Sequence, residues 1–344
     1  MKRWMVAAAF GLAVVGGMVA PGSARATSAA WSQIYQVGVS GGFSDIAAIG
    51  NSNIWAVGRT DNAAGNTVYT PFIRHFTGRS WQAVTIPNSS GSTSDWVSAA
   101  AANNVWVGGL RNSSIATTVV YRWNGAGWVR VPVPAETYFE GVVVLAPNSV
   151  WAYGTSGTVS DDVFHWNGTR WQRYLSDSLN FVPQGISASA ESNVWVSGYA
   201  FSGGKQVAQA YRFDGRTWHA GIPHPALESG PTVTAVSPSN VWIGYYTSTA
   251  GYALHWDGHQ WHTVTASSSA NVLGVVVPDT EGGYWFGAQA ILTGSTWTAE
   301  QVPGFTGFIG NVIWIPGTPY FLMNAGAETG SSSVEEPTIF RFIF

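Results

Sequence analysis

Cysteine is absent from this chain of 344 residues. That excludes a disulfide framework, a thiolate metal site, a thiol nucleophile and a lipid-modified N-terminal cysteine. Charge is scarce, at 10% of residues. Past residue 20 no apolar run approaches the roughly 18 residues that a membrane span needs, and no segment longer than a few residues shows the 3.6-residue period of a helix. Stability must therefore come from packed β-structure. At the start of the chain, Lys2 and Arg3 precede the apolar run "WMVAAAFGLAVVGGMVA", and Ala24-Arg25-Ala26 is a small-x-small site. Residues 1–26 read as a secretory signal peptide, with 27–344 as one exported, extracellular domain. Without Lys2, Arg3 and Arg25 the remainder holds 12 basic against 18 acidic side chains, a formal −6. Nucleic acid needs a basic surface, so it is a poor partner.

What the chain has instead is glycine (41) and tryptophan (19), arranged in repeats. An inner set of tryptophans stands in "NIWAVG", "NVWVGG", "SVWAYG", "NVWVSG", "NVWIGY" and "GYWFGA": Trp55, Trp106, Trp151, Trp195, Trp242 and Trp285. An outer set follows Asn-Gly, Asp-Gly or a similar turn: Trp81, Trp128, Trp171, Trp218, Trp261 and Trp297. The inner set recurs every 43 to 51 residues. A seventh copy is split. Near the C-terminus "PYFLMN" places Phe321 where the inner tryptophan belongs, and "IFRF" matches "VYRW", but the chain ends one strand short. Trp31, in "WSQIYQV", supplies a seventh outer tryptophan from the other end.

A period near 45 residues with four strands per copy predicts an all-β fold: a seven-bladed β-propeller of four-stranded antiparallel blades, the last blade closed by the N-terminal strand. Within each blade the strands run A (at the axis), B, C and D (outermost). Strand A should carry small or β-branched residues, as Ala47, Ser98, Val143, Ser187 and Thr234 do at equivalent positions. The Asn-Gly and Asp-Gly pairs predict two-residue hairpin turns between strands C and D. The large aromatics should fill the wedge between blades. His75, Arg122, His165, Arg212, His255 and Arg341 share one strand-C position, and a residue type repeated around a ring reads as a structural hydrogen-bonding position.

The repeat xVWxxG…(Y/F)(R/H)W(N/D)GxxW resembles that of secreted β-propeller proteins of actinobacteria and, more loosely, tectonin-type propeller lectins. The resemblance spans nearly all of residues 31–344. It implies a propeller, and the lectin side of it implies glycan binding in the loops. The repeats are longer than the tectonin type, so binding positions do not transfer residue by residue. WD-repeat signatures and the Asp-box spacing of sialidases are missing.

Strand order puts the short, repeated A–B and C–D turns on one face and the B–C and D–A connections, different in every copy, on the other. Variable loops on a rigid scaffold are where ligand chemistry usually resides. At the channel mouth on that face, ten residues before the inner tryptophan, stand Asp45, Trp96, Gly141, Gly185 and Thr232. Trp96 breaks the rule of small residues, and Asp45, Asp95 and Glu140 place carboxylates in consecutive blades. With Tyr138 and Gln184 close by, these residues form the candidate ligand site. An aromatic platform with acids suits a sugar, and oxygen ligands suit a hard cation such as Ca2+; no cofactor is called for. Two functions follow: a monomeric, non-catalytic propeller that binds a glycan or an extracellular protein, or a secreted polysaccharide hydrolase or lyase using two of the carboxylates.

Overall fold

The computed structural model describes residues 30–60, 70–87, 92–111, 117–156, 160–175, 181–221, 231–246, 251–265, 276–278, 283–286, 290–299, 307–329 and 334–343. The proposed signal peptide and much of the variable connections, including "RTDNAAGNT", "NSSGSTSDW", "GTVSDD", "SDSLNFVPQ" and "PHPALESG", fall wholly or partly outside them. The described residues form seven four-stranded antiparallel sheets. Blade 3 is typical: Thr137–Ala146 (A), Ser149–Ser156 (B), Ser160–Trp166 (C) and Trp171–Leu175 (D). Each strand A packs on the strand A of the next blade, and Gly307–Trp314 of blade 7 packs on Gly41–Gly50 of blade 1, so the ring closes. Blade 7 takes its outer strand from Ala30–Gln36, which pairs antiparallel with Val334–Ile343 and sets Trp31 opposite Phe342. The split seventh blade is thus present.

The repeated aromatics make one joint used over and over. At five seams the inner tryptophan meets the outer tryptophan of the next blade edge-on: Trp55–Trp128, Trp106–Trp171, Trp151–Trp218, Trp195–Trp261 and Trp285–Trp31, with centroids 5.5 to 6.3 Å apart. That arrangement sets the positive ring edge against the negative face. The inner rings are also covered from strand C. His75 and His255 stack on Trp55 and Trp242 at 3.8 and 4.2 Å, and Arg122 and Arg212 lie over Trp106 and Trp195. The Asn of the A–B turn completes the joint: Asn53, Asn104, Asn193 and Asn240 each accept the indole N–H two residues on, at 2.8 to 2.9 Å. Asn53 and Asn240 also bond the histidine, so the strand-C position is structural as expected.

Near the axis the small residues do more than save space. Ser98, Ser187 and Thr234 each present a hydroxyl oxygen to a strand-A N–H of the following blade, Val144, Ala235 and Val276, at 2.9 to 3.1 Å. A hydroxyl is small enough for the axis and satisfies a buried backbone donor that has no strand partner on that side.

Two expectations require correction. The C–D turns are four-residue connections: Trp166 pairs with Trp171, and the Asn167 N–H donates to the Arg170 carbonyl. Gly168 takes a φ of 97°, while Asn167 keeps a negative φ and uses Oδ1 to accept the N–H groups of Thr169 and Arg170. The Asn side chain organises the turn by hydrogen bonding instead of by adopting the left-handed conformation. Second, Leu322, not Phe321, occupies the inner-tryptophan position of blade 7. It pairs with Arg341 as Trp151 pairs with His165, and it faces blade 1. Phe321 faces Trp285 on the other side. At this seam Tyr35 of the N-terminal strand stacks on Trp81 at 5.1 Å, filling the space that an inner tryptophan fills elsewhere.

Candidate functional site: a mouth built on four bulges

Strand A is bulged at the same place in successive blades. In blades 1, 3 and 4 the register slips between Phe43 and Asp45, Phe139 and Gly141, and Pro183 and Gly185, leaving Ser44, Glu140 and Gln184 as extra residues. In blade 2 both Asp95 and Trp96 lie against Gly108. Blade 7 has the same irregularity, with Gly310 at the position. A bulge bends the strand and re-aims its side chain. Here the irregular positions of four consecutive blades hold Ser44, Asp95, Glu140 and Gln184, of which Glu140 and Gln184 are exposed. The glycine of the VWxxG repeat permits it. A Cβ at Gly58, Gly109, Gly154 or Gly198 would fall on the carbonyl oxygen of Gly42, Thr93, Tyr138 or Val182, in the bulged strand opposite.

The structure sorts the predicted site residues into three kinds. Trp96 is a core residue. Its side chain is 4% exposed, its ring packs between blades 2 and 3, and its indole N–H donates to the Phe139 carbonyl at 3.1 Å. A ring so placed has no face to offer a ligand. Its size is matched across the strand pair: it lies over Gly108, where a Cβ would strike the indole. Blade 3 has the reverse match, with Gly141 on strand A beneath the ring of Tyr153 on strand B.

Asp45 is one residue out of step with Asp95 and Glu140. It sits at the position of Trp96 and Gly141, on the seam. Its Oδ1 accepts the N–H of Ile46 at 2.8 Å and the Asn311 amide at 2.9 Å, and Oδ2 accepts the N–H of Val97 at 2.9 Å. Burial pushes its carboxyl up to about 6, against the lowering pull of those three hydrogen bonds. Asp95 is half committed to the fold: Oδ2 accepts the Thr93 hydroxyl at 2.6 Å and the Leu110 N–H at 3.1 Å, bracing the entry to blade 2.

Glu140 and Gln184 are exposed, and Tyr138 is partly buried. Burial pushes the Tyr138 phenol up to about 12, aided by the negative charges of Asp95 and Glu140 and opposed by Arg59. Three blades therefore meet electrostatically around one phenol. Tyr153 and Arg59 belong to the same group and were not among the sequence candidates. Tyr153 donates its hydroxyl proton to the Gln184 carbonyl at 3.0 Å, which ties blade 3 to the bulge of blade 4. Burial, with Glu140 and Tyr138 adding to it, raises its phenol as well. The signal for Tyr153 was in the repeat: its position holds Val57, Gly108, Ser197 and Gly244 in other blades. Among the described residues no group of three or more His, Asp or Glu side chains could hold a metal ion, and no helix is long and apolar enough to cross a membrane.

No family model matches the chain, and no curated protein is similar to it in sequence. Solved structures are similar in fold. YCF48 bound to D1 peptide superposes with a TM-score of 0.58 at 14% identity, covering 91% of this chain and 94% of that one. YCF48 from Cyanidioschyzon merolae gives 0.59 at 13% identity, covering 91% and 98%. A protein of unknown function from Dyadobacter fermentans DSM 18053 gives 0.51 at 11% identity, covering 92% and 98%. At these identities the likeness establishes the architecture alone.

Proposed function

We propose that this chain is a non-catalytic binding propeller, exported through residues 1–26, that as a monomer takes an extracellular glycan or protein segment at the face of the B–C and D–A connections. The observation that carries this is the set of bulges. Four consecutive blades depart from regular pairing at one level, with Ser44, Asp95, Glu140 and Gln184 at the irregular positions, and the charges of Asp95 and Glu140 act on the Tyr138 phenol. Bulges that re-aim side chains are enriched beside functional sites. With Trp96 in the core, recognition at this mouth rests on hydrogen bonds and charge rather than on stacking. A propeller of similar fold, YCF48, is seen with a peptide.

The hydrolase alternative would call on Asp45, whose raised carboxyl pKa is what a general acid needs. Its oxygens, however, accept three N–H groups of the seam, which commits the carboxyl to bridging blades. The test is a screen of the exported chain against a glycan array and a peptide library drawn from extracellular proteins. A hit should be lost in the Glu140→Ala/Gln184→Ala variant with the melting temperature unchanged. A hit that the variant keeps would move the site to the outer connections.

A further inference from the structure

We propose that the cross-strand histidine pair of blade 5, His255 and His262, binds a divalent transition-metal ion of the Zn2+ and Cu2+ kind. The pair stands beside the C–D turn, at the opposite end of the blade from the mouth, so the site does not depend on what the mouth takes. Strands C and D of this blade, Gly251–Trp256 and Trp261–Thr265, set the two imidazoles directly opposite each other with ring centres 6.5 Å apart. Directly opposed residues of an antiparallel pair share one face of the sheet. At the same position blades 1 to 4 pair His75 with Gln82, Arg122 with Val129, His165 with Gln172 and Arg212 with His219. Blade 5 alone among these five sets two imidazoles together.

The hydrogen bonds fix which nitrogen of each ring is bare. Asn240 Oδ1 accepts the Trp242 indole N–H at 2.8 Å, which identifies that atom as the oxygen, and the same oxygen lies 3.1 Å from His255 Nε2. His255 Nε2 therefore carries a proton. Asp257 Oδ2 lies 2.7 Å from His262 Nε2, and an ionised carboxylate can only accept, so that nitrogen carries a proton as well. Each neutral ring is left with its lone pair on Nδ1. An imidazole held through one N–H by an amide or carboxylate oxygen, with the other nitrogen bare, is how proteins orient a metal-ligating histidine, and imidazole nitrogen suits Zn2+ and Cu2+. Two protein ligands leave the remaining positions to water, in keeping with the lack of any three-residue ligand group among the described residues. On one tetrahedral ion, with metal–nitrogen bonds of about 2 Å, two imidazole centres stand about 5 Å apart. His255 is held by its stack on Trp242, and His262, with 46% of its side chain exposed, has room to close the difference. Blade 4 is the natural control. Asp214 holds His219 Nε2 at 2.7 Å in the same way, but the residue opposite is Arg212, whose charge repels a cation.

The experiment titrates Zn2+ alone into the full chain, purified without a histidine tag, by isothermal titration calorimetry at neutral pH. Wild type should take up one equivalent. His262→Gln gives blade 5 the His–Gln pair that blades 1 and 3 already carry, and it should weaken zinc binding by about tenfold or more; His219→Gln should leave binding unchanged. Wild type that takes up no zinc, or a His262→Gln chain that binds as well as wild type, overturns the proposal. An equal loss in both variants also overturns it, because the zinc would then sit on scattered surface histidines. Should His262→Gln fail to fold, the same titration of wild type is followed through the histidine ring resonances. Shifts confined to His255 and His262 support the site, and shifts at His219 or His259 without them reject it.

Discussion

The seams and the mouth of this propeller both depart from a perfect repeat, and they do so in different ways. At the seams a departure is answered by a neighbour. Trp96 is large where other blades are small, and Gly108 across the strand pair makes room; Gly141 is small, and Tyr153 covers it. Leu322 stands where a tryptophan would, and Tyr35 stacks on Trp81 instead. At the mouth the extra residues Ser44, Glu140 and Gln184 vary in size and charge with no compensating change opposite them, because the residues across the strand pair are the repeated glycines. An irregularity in a repeat protein is thus informative about function only after its cross-strand and cross-blade partners have been inspected. Compensated irregularity is packing.

Removing the N-terminal strand should break the seam side of this comparison most severely. Ala30–Gln36 places Trp31 against Trp285 and Phe342 at one seam and Tyr35 against Trp81 at the other. A chain lacking residues 30–36 would expose the edge of Val334–Ile343 and leave both seams short of an aromatic ring. It should aggregate or lose its single cooperative transition in calorimetry and size-exclusion chromatography; a monomer melting as wild type would show that the ring holds without this strand.

Single tryptophans come next. Trp106 is fully buried and contacts both Trp166 and Trp171. Trp106→Ala should cost about 3–5 kcal/mol in urea unfolding, and Trp171→Ala, partly exposed at the rim, about 3 kcal/mol. Equal, small losses at both would mean that the aromatic joint contributes little.

The smallest effect sharpens the comparison by repairing a repeat. Trp151 is the inner tryptophan whose A–B turn has Ser149 where four others have Asn, and its buried indole N–H has no partner. Ser149 bonds His165 instead, at 3.1 Å. Ser149→Asn would supply an acceptor for both rings, as Asn53 does for Trp55 and His75. A gain of about 1 kcal/mol is expected. No gain, or a loss, would show that the Asn contact is incidental in the other blades.

Most of the architecture was legible because the tryptophans mark blade seams, and a seam must be filled in every blade. The sequence period, the split seventh blade and the structural role of the strand-C histidines all follow from that requirement. What escaped was local geometry. Leu322 was missed by one residue because blade 7 has no inner tryptophan to set the frame. The Asn-Gly turns were read through backbone preference, whereas the Asn side chain directs them. Glu140 and Gln184 were singled out because they stand beside strand-A positions already compared. Ser44 and the bulges were not, because a glycine three residues after each tryptophan looks like turn chemistry until the opposing strand is seen. Asp45 was grouped with the wrong carboxylates for the same reason: one extra residue in a bulge moves the next side chain to the other side of the strand.

The distinction between compensated packing and a free mouth is tested most directly by equilibrium urea unfolding of two single variants beside wild type. Trp96→Ala should lose about 3–5 kcal/mol, as a buried ring over Gly108 must, while Glu140→Ala should stay within about 0.5 kcal/mol. A Trp96→Ala protein as stable as wild type, beside a strongly destabilised Glu140→Ala, would contradict the account by making the tryptophan the exposed residue and the bulge part of the core.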